Sequence, residues 1–199
     1  RLTNLQNGTQ ETYSVSESFS QSKFLSFFGR VDYALMDKYY FDASVRNDAC
    51  SRFGPNNRNA TFWAAGGMWK VKREDFMRNI YWLDDLNLKV SYGTQGNSSI
   101  GDYQHLALIG ASTDYAQSNS LVVGQPSNPN LTWEKQALLT VGFNGRALDR
   151  LDFNIEYYHR TTSSMLMSVP YNYTTGFSSL YANVGGLVNQ GIDITLGVD

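Results

Sequence analysis

The chain alternates apolar and polar residues over seven separate segments. In residues 39–48, one set of alternate positions is apolar and the other carries amides and full charges. The apolar set is Tyr39, Phe41, Ala43 and Val45, and the polar set is Tyr40, Asp42, Ser44, Arg46 and Asp48. Residues 86–93 and 151–160 repeat this pattern. Successive side chains of a strand point to opposite faces, so a period of two predicts strands with one apolar and one wet face.

Seven strands are predicted in this way, each about ten residues long. Their bounds are 24–36, 39–50, 62–71, 86–95, 133–144, 151–161 and 188–199. The charged residues of the wet faces would be costly inside the dry core of a sandwich. Strands of about ten alternating residues are typical of transmembrane β-barrels.

The predicted connections alternate between short and long along the chain. Turns at 37–38 and 145–150 and a short helical turn within 72–85 lie at one end, and long loops at 51–61, 96–131 and 163–183 lie at the other. Outer-membrane barrels have short periplasmic turns and long extracellular loops, whereas sandwiches have irregular connections at both ends. The pattern favours an all-β antiparallel meander of seven to eight strands in a transmembrane barrel, with a soluble sheet as the alternative.

Composition narrows the functional classes. The net charge of −2 gives no electrostatic reason to expect a nucleic-acid partner. No run of residues approaches the roughly 18 apolar positions of a spanning helix. Aromatic residues make up 14% of the chain, which suits strands and the aromatic girdles of a membrane protein. Cys50 is the single cysteine, so an internal disulfide is excluded.

Several runs of residues resemble, in the expected order, the barrel of SusC/RagA-type TonB-dependent transporters. They are FGRVDY (28–33), DKY (37–39), SVRND (44–48), SRFG (51–54), LKVSYGTQGN (88–97), NPNLTWE (128–134), YYHRT (157–161), NVG (183–185) and NQGID (189–193). The resemblance covers residues 24–199. Cys50 departs from it, because the family usually has a glycine before the SRFG run.

The resemblance implies a bacterial outer-membrane protein that imports a bulky nutrient, an oligosaccharide or a peptide. Such transporters are large barrels of the 22-stranded, plugged kind. An N-terminal plug and a TonB-engaging motif would belong to a part of the protein outside this chain, and a SusD-like surface lipoprotein would cover the barrel. Residues 24–199 are then expected to be a piece of the C-terminal half of the barrel, and residues 1–23 a loop or the end of a preceding strand. No cofactor or metal is expected.

Two groups of candidate site residues follow from this interpretation. Cargo contacts are expected on the long loops, where aromatic faces stand near amides and carboxylates. These candidates are Asn97, Asp102, Tyr103, Tyr115, Tyr171, Tyr173 and Tyr181. Charged residues of the wet faces are expected to line the lumen and to pair across strands. These are Arg30, Asp42, Arg46, Asp48, Lys89, Asp152, Glu156, Arg160 and Asp193.

Aromatic residues near the strand ends are candidates for the two girdles. Trp133 is the candidate for the outer girdle, and Tyr39 and Trp82 suit the inner one. Trp63 and Trp69 share a face, and at most one of them is expected squarely in a girdle.

An enzymatic function is not expected. The two histidines, His105 and His159, stand in a loop and on an outward strand face, and no HExxH, CxxC or nucleophile-elbow motif is present. The recurring carboxylates single out no matched acid pair for glycoside hydrolysis. The alternative function is a secreted or surface carbohydrate-binding module that uses the same loop aromatics.

Overall fold

The computed structural model describes residues 19–113 and 119–198, and it contains one large antiparallel sheet and two small hairpins. The strands are β1 (Phe24–Leu35), β2 (Tyr39–Cys50), β3 (Asn59–Lys70), β4 (Leu83–Asn97), β5 (Leu108–Thr113), β6 (Asn119–Gln125), β7 (Glu134–Ala147), β8 (Leu151–Ser163), β9 (Leu166–Pro170), β10 (Ser179–Asn183) and β11 (Gly186–Val198). The large sheet has the order β1-β2-β3-β4-β7-β8-β11. The seven predicted strands and their meander order are confirmed, and the sheet remains open at β1 and β11.

The cross-strand register places the apolar positions of neighbouring strands on one face. One row of paired residues runs through Phe41, Gly67, Val90, Val141, Tyr157 and Ile192. Phe41 and Ile192 are 54% and 65% exposed, so no second sheet built from the described residues covers this face. Phe153 on the same face is half-buried, because its ring packs edge-on against Phe143. The uncovered apolar face contradicts the closed core of a sandwich.

The apolar positions form a band that slants across the hydrogen-bonded rows. In β1 they extend from the row of Tyr33 towards the long-loop end, through Val31 to Phe27 and Leu25. In β8 they extend from the row of Tyr157 towards the short-turn end. On the long-loop side of Tyr157, this face carries His159 and Thr161. Such a slant is expected when strands cross a flat apolar layer at a tilt of about 40°.

Two of the short connections are tight hairpin turns. Met36 and Asp37 have φ values of 52° and 54°, and Lys38 N donates to Leu35 O at 3.0 Å. Leu148 and Asp149 have φ of 55° each, and Arg150 N lies 3.2 Å from Ala147 O. Two successive residues with positive φ are the signature of the type I′ turn, whose twist matches that of the flanking strands.

The remaining connections differ in detail from the sequence-based expectations. Two 3₁₀ turns, Val71–Arg73 and Asp75–Met77, replace the single helical turn within 72–85. The two longest loops contain the hairpins β5–β6 and β9–β10, which the sequence analysis did not predict. The described residues include no helix with the length and hydropathy of a membrane span.

Candidate functional site

The long loops are held together by a compact aromatic core at their end of the sheet. Trp133 is 2% exposed and packs against Phe53, Phe62 and Phe24, with ring centroids 4.9, 5.8 and 6.1 Å away. Its indole Nε1 donates to Arg58 O at 3.1 Å. Because the ring is enclosed by the loops, the prediction of Trp133 as an outer-girdle residue is wrong. Cys50, 3% exposed, lies in the same core.

Asparagine side chains join the two longest loops to each other. Asn183 accepts from Thr132 N at 2.8 Å and donates to Thr132 O at 2.7 Å. Asn128 Nδ2 donates to Tyr181 O at 2.8 Å. Glu134 Oε2 accepts from Leu166 N at 3.1 Å. These contacts satisfy loop backbone groups that would otherwise need water, so the described parts of the two loops are joined in one layer.

A cleft of about 320 Å³ opens in this layer beside the ends of β1 and β2. Arg52 Nε donates to Asp102 Oδ1 at 2.8 Å, and the Ser20 hydroxyl donates to Asp102 Oδ2. The hydrogen bond from Ser20 and then the charge and hydrogen bond of Arg52 lower the pKa of Asp102. Tyr103 has a φ of 64°, and its hydroxyl accepts from Gln21 N at 3.0 Å. Two candidate cargo residues, Asp102 and Tyr103, therefore meet in one cleft.

Of the other candidate cargo residues, the three whose side chains the structure describes do not line this cleft. Asn97 Nδ2 donates to Glu134 Oε1 at 3.2 Å, and its Oδ1 accepts from Ser99 N at 2.9 Å. Tyr181 is half-buried against the aromatic loop core, and Tyr171 is 45% exposed. Tyr115 and the side chain of Tyr173 lie outside the described residues.

The basic residues and the histidine of this cleft were not among the predicted site residues. They are Lys23, Arg52, Arg58 and His105. The positions of two of them along the chain could have indicated that they lie close together. Lys23 directly precedes β1, and Arg52 follows β2 by two residues. Paired antiparallel strands bring these two positions to the same rim of the sheet.

The polar face of the sheet carries the nine residues predicted to line the lumen. The register places them on the face opposite the apolar band. This face has a cavity of about 560 Å³, with Asp42, Lys89 and Glu156 in its wall. Gly66 and Gly142 make room for the carboxylates, because a Cβ atom would lie 2.5 Å from Asp42 Oδ1 and 2.6 Å from Glu156 Cγ.

Ion pairs on this face differ from the expected cross-strand ladder. Arg30 pairs with Asp32 at 2.7 Å, and Arg46 pairs with the fully buried Asp48 at 2.8 Å, in both cases along one strand. Arg146 and Asp152 face each other across β7 and β8 at 3.9 Å. The like charges Asp32 and Asp42 are direct cross-strand neighbours, as are Glu156 and Asp193. Charges two residues apart on a strand share a face, so they compete with partners across the sheet.

At the short-turn end, aromatic residues of the apolar face are anchored by one carboxylate. Tyr39 and Trp69 stack with centroids 6.2 Å apart. Glu74 accepts from Tyr39 Oη at 2.7 Å, from Trp69 Nε1 at 3.1 Å and from Lys38 Nζ at 3.0 Å. The arrangement suits a girdle, with the rings towards the apolar band and their polar groups towards water. Trp63 shares the face with Trp69 and packs against Tyr92 at 5.3 Å, and Trp82 is 60% exposed.

The two histidines occupy different environments. His105 is 7% exposed, and its Nδ1 lies 3.0 Å from Arg52 O in the loop cleft. His159 lies on the apolar face, where Nδ1 is 3.1 Å from Gln190 Oε1 and Nε2 is 3.3 Å from Thr161 Oγ1. Within the described residues, no three His, Cys, Asp or Glu side chains come together in a way that could hold a metal ion.

Comparison with known proteins gives consistent matches over nearly all of the chain. The family described as TonB dependent receptor-like, beta-barrel matches residues 2–199. TonB-dependent receptor P26 of Formosa agariphila is 34% identical over 201 residues, covering 97% of this chain and 20% of the relative. TonB-dependent receptor SusC of Bacteroides thetaiotaomicron is 32% identical over 186 residues, covering 89% and 18%.

A solved structure shows the same arrangement of strands. The RagAB peptide importer in its 'closed-closed' state superposes with a TM-score of 0.86 at 42% identity, covering 96% of this chain and 22% of that chain. The chain thus spans about a fifth of the length of the proteins it matches. It belongs to the TonB-dependent receptor β-barrel family, and its place is the bacterial outer membrane.

Proposed function

We propose that this segment forms wall and extracellular loops of an importer that carries a bulky nutrient, an oligosaccharide or a peptide, across the outer membrane. The observation that supports this most is the sheet itself. One face presents an uncovered apolar band of the kind that contacts lipid, and the other presents charges around a cavity. Short turns end the strands on one side, and layered loops end them on the other.

The rest of the machinery would lie outside this segment. A plug with a TonB-engaging motif would fill the lumen, and TonB would supply the energy for import. A SusD-like surface lipoprotein would cover the loop layer, as the similarity to SusC and to the RagAB importer suggests. The nine charged residues of the polar face would then line the lumen around the plug.

Cargo would contact the loop layer before it enters the lumen. The proposed contact residues are Asn97, Asp102, Tyr103, Tyr115, Tyr171, Tyr173 and Tyr181. Their aromatic rings suit stacking on sugars or side chains, and their amides and carboxylates suit hydrogen bonding. The segment is proposed to be a passive wall without catalysis, in line with relatives that are receptors and transporters.

A gene deletion tests this function. The deletion strain should lose growth on one defined class of oligosaccharide or peptide, and the full-length gene should restore it. A matched strain that carries the gene without its TonB-engaging segment should fail to grow on that nutrient. Unchanged uptake of every glycan and peptide by the deletion strain would contradict import as the function.

A further inference from the structure

The cleft beside the ends of β1 and β2 concentrates positive charge. Lys23, Arg52 and Arg58 line it, and among the described lining residues Asp102 alone is acidic. The whole chain has a net charge of −2, so the excess of cations is local to this cleft. Its volume of about 320 Å³ is that of a small-ligand subsite.

The cations of the cleft differ in whether they already have partners. Arg52 is matched by Asp102 at 2.8 Å and also donates to Ser98 O at 3.3 Å. Lys23 and Arg58 line the cleft as exposed side chains, and across residues 19–113 and 119–198 neither forms an ion pair or side-chain hydrogen bond. Two positive charges of the cleft are therefore unpaired within the described residues.

The backbone at both of these residues is fixed. Lys23 N donates to Ser51 Oγ at 2.9 Å, and Lys23 O accepts from Ser51 N at 3.0 Å. Arg58 O accepts from Cys50 N at 3.0 Å and from the buried Trp133 indole at 3.1 Å. The two side chains thus project from anchored positions, which lowers the ordering cost when they bind an anion.

The rest of the lining limits what the cleft can hold. Pro55 and Leu106 provide an apolar wall, while Gln21 and Ser51 provide uncharged polar groups. An arginine fork matches the geometry of a carboxylate, and a lysine ammonium beside it adds a second positive charge that attracts the anion. The apolar wall accommodates the carbon skeleton that carries it.

We propose that this cleft binds a carboxylate group of the cargo, with Arg58 and Lys23 as the charged contacts. The inference rests on the proposed import function and narrows its cargo to acidic molecules. The carboxylate can come from a peptide, at its C-terminus or on a side chain, or from a uronic acid in an oligosaccharide. Both sources present the same group to the cleft.

The test measures binding to the full-length transporter, with its surface lipoprotein, in detergent micelles by titration calorimetry. One arm compares an acidic peptide with the same peptide carrying a terminal carboxamide and Asn in place of Asp. The other arm compares a uronate oligosaccharide with its neutral counterpart. The arm in which the charged ligand binds more tightly identifies the source of the carboxylate.

The double variant K23Q/R58Q should weaken binding of the charged ligand about ten-fold and leave the neutral one unchanged. Higher salt should also weaken binding of the charged ligand to the native protein. The matched control R78Q/R150Q removes two exposed cations at the short-turn end and should bind like the native protein. Gel migration of the unheated barrel verifies that each variant is folded.

The outcomes separate this inference from the proposed function. Neutral and charged ligands that bind equally, or a K23Q/R58Q variant that retains the preference, would overturn the carboxylate site while import stands. A native transporter that neither binds nor takes up any peptide or oligosaccharide would overturn both.

Discussion

Among single residues, Glu74 connects the short-turn end to the stacked rings of Tyr39 and Trp69. Its carboxylate accepts hydrogen bonds from Tyr39, Lys38 and Trp69, and in that order these bonds lower its pKa below the ordinary value of 4.5. A group whose pKa is lowered by folding stabilises the fold above its unfolded pKa, and this contribution disappears as pH falls through the folded pKa. Stability due to Glu74 is therefore complete at pH 7, begins to fall near pH 4.5 and is lost as the pH falls through the lower pKa of the folded protein.

The variant E74Q should consequently unfold at a lower temperature than the native transporter at pH 7. The difference should shrink progressively as the pH falls from 4.5 through the lower pKa of the folded protein, because the Glu74 carboxyl then becomes protonated first in the unfolded and finally in the folded state. Heat-modified gel migration of the full-length barrel at several pH values measures this. D75N is the matched control, since among the described residues the Asp75 side chain pairs only with exposed Arg78, at 3.1 Å. A difference in unfolding temperature between E74Q and the native protein that does not change with pH would contradict the proposed role of the Glu74 charge.

Among elements, the hairpin turns contain residues that are poorly suited to their backbone. Met36 has a φ of 52° and is 77% exposed, so its side chain gains no packing in exchange for the left-handed conformation. Asn tolerates this conformation better than other residues with a Cβ atom. We expect M36N to stabilise the β1–β2 hairpin by about 0.5–1 kcal/mol.

Urea unfolding of the full-length barrel in detergent measures this gain. M167N, on exposed β9, introduces the same side chain where φ is not positive and should give no stabilisation. A loss of stability in M36N would show that the methionine side chain has a contact role that outweighs the backbone strain.

At the scale of the whole molecule, the sheet has two properties that are unfavourable in water. Its apolar face leaves side chains such as Val31, Phe41 and Ile194 at least half exposed, and β1 and β11 each pair with a single neighbour in the sheet. Exposed apolar patches of more than a few hundred Å² and open strand edges both promote association. In the proposed transporter, lipid would cover the face and further strands of the barrel would pair with the edges.

The 199-residue segment, expressed alone, should therefore aggregate or oligomerise in plain buffer and disperse only with detergent. Light scattering with and without detergent is the measurement. A monodisperse 22.4 kDa species in plain buffer would mean that the apolar faces are buried against each other, which contradicts a lipid-facing band.

The seven strands, their order and their two faces were determined by the sequence, because a period of two is a local property of each strand. Tight turns such as Met36–Asp37 then leave little freedom in how the neighbouring strands pair. The like-charge neighbours Asp32 and Asp42 follow from the same register, although the ion pairs along the strands were not anticipated.

Only the tertiary structure decided what the loops build. The burial of Trp133, the pairing of Arg52 with Asp102 and the joining of Thr132 to Asn183 each depend on segments about 50 or more residues apart. The hairpins β5–β6 and β9–β10 lie in stretches rich in Gly, Ser and Asn, where alternation is weak. Alternation assigns a side chain to one face of its own strand, whereas a loop side chain is buried or exposed according to which distant loop packs against it.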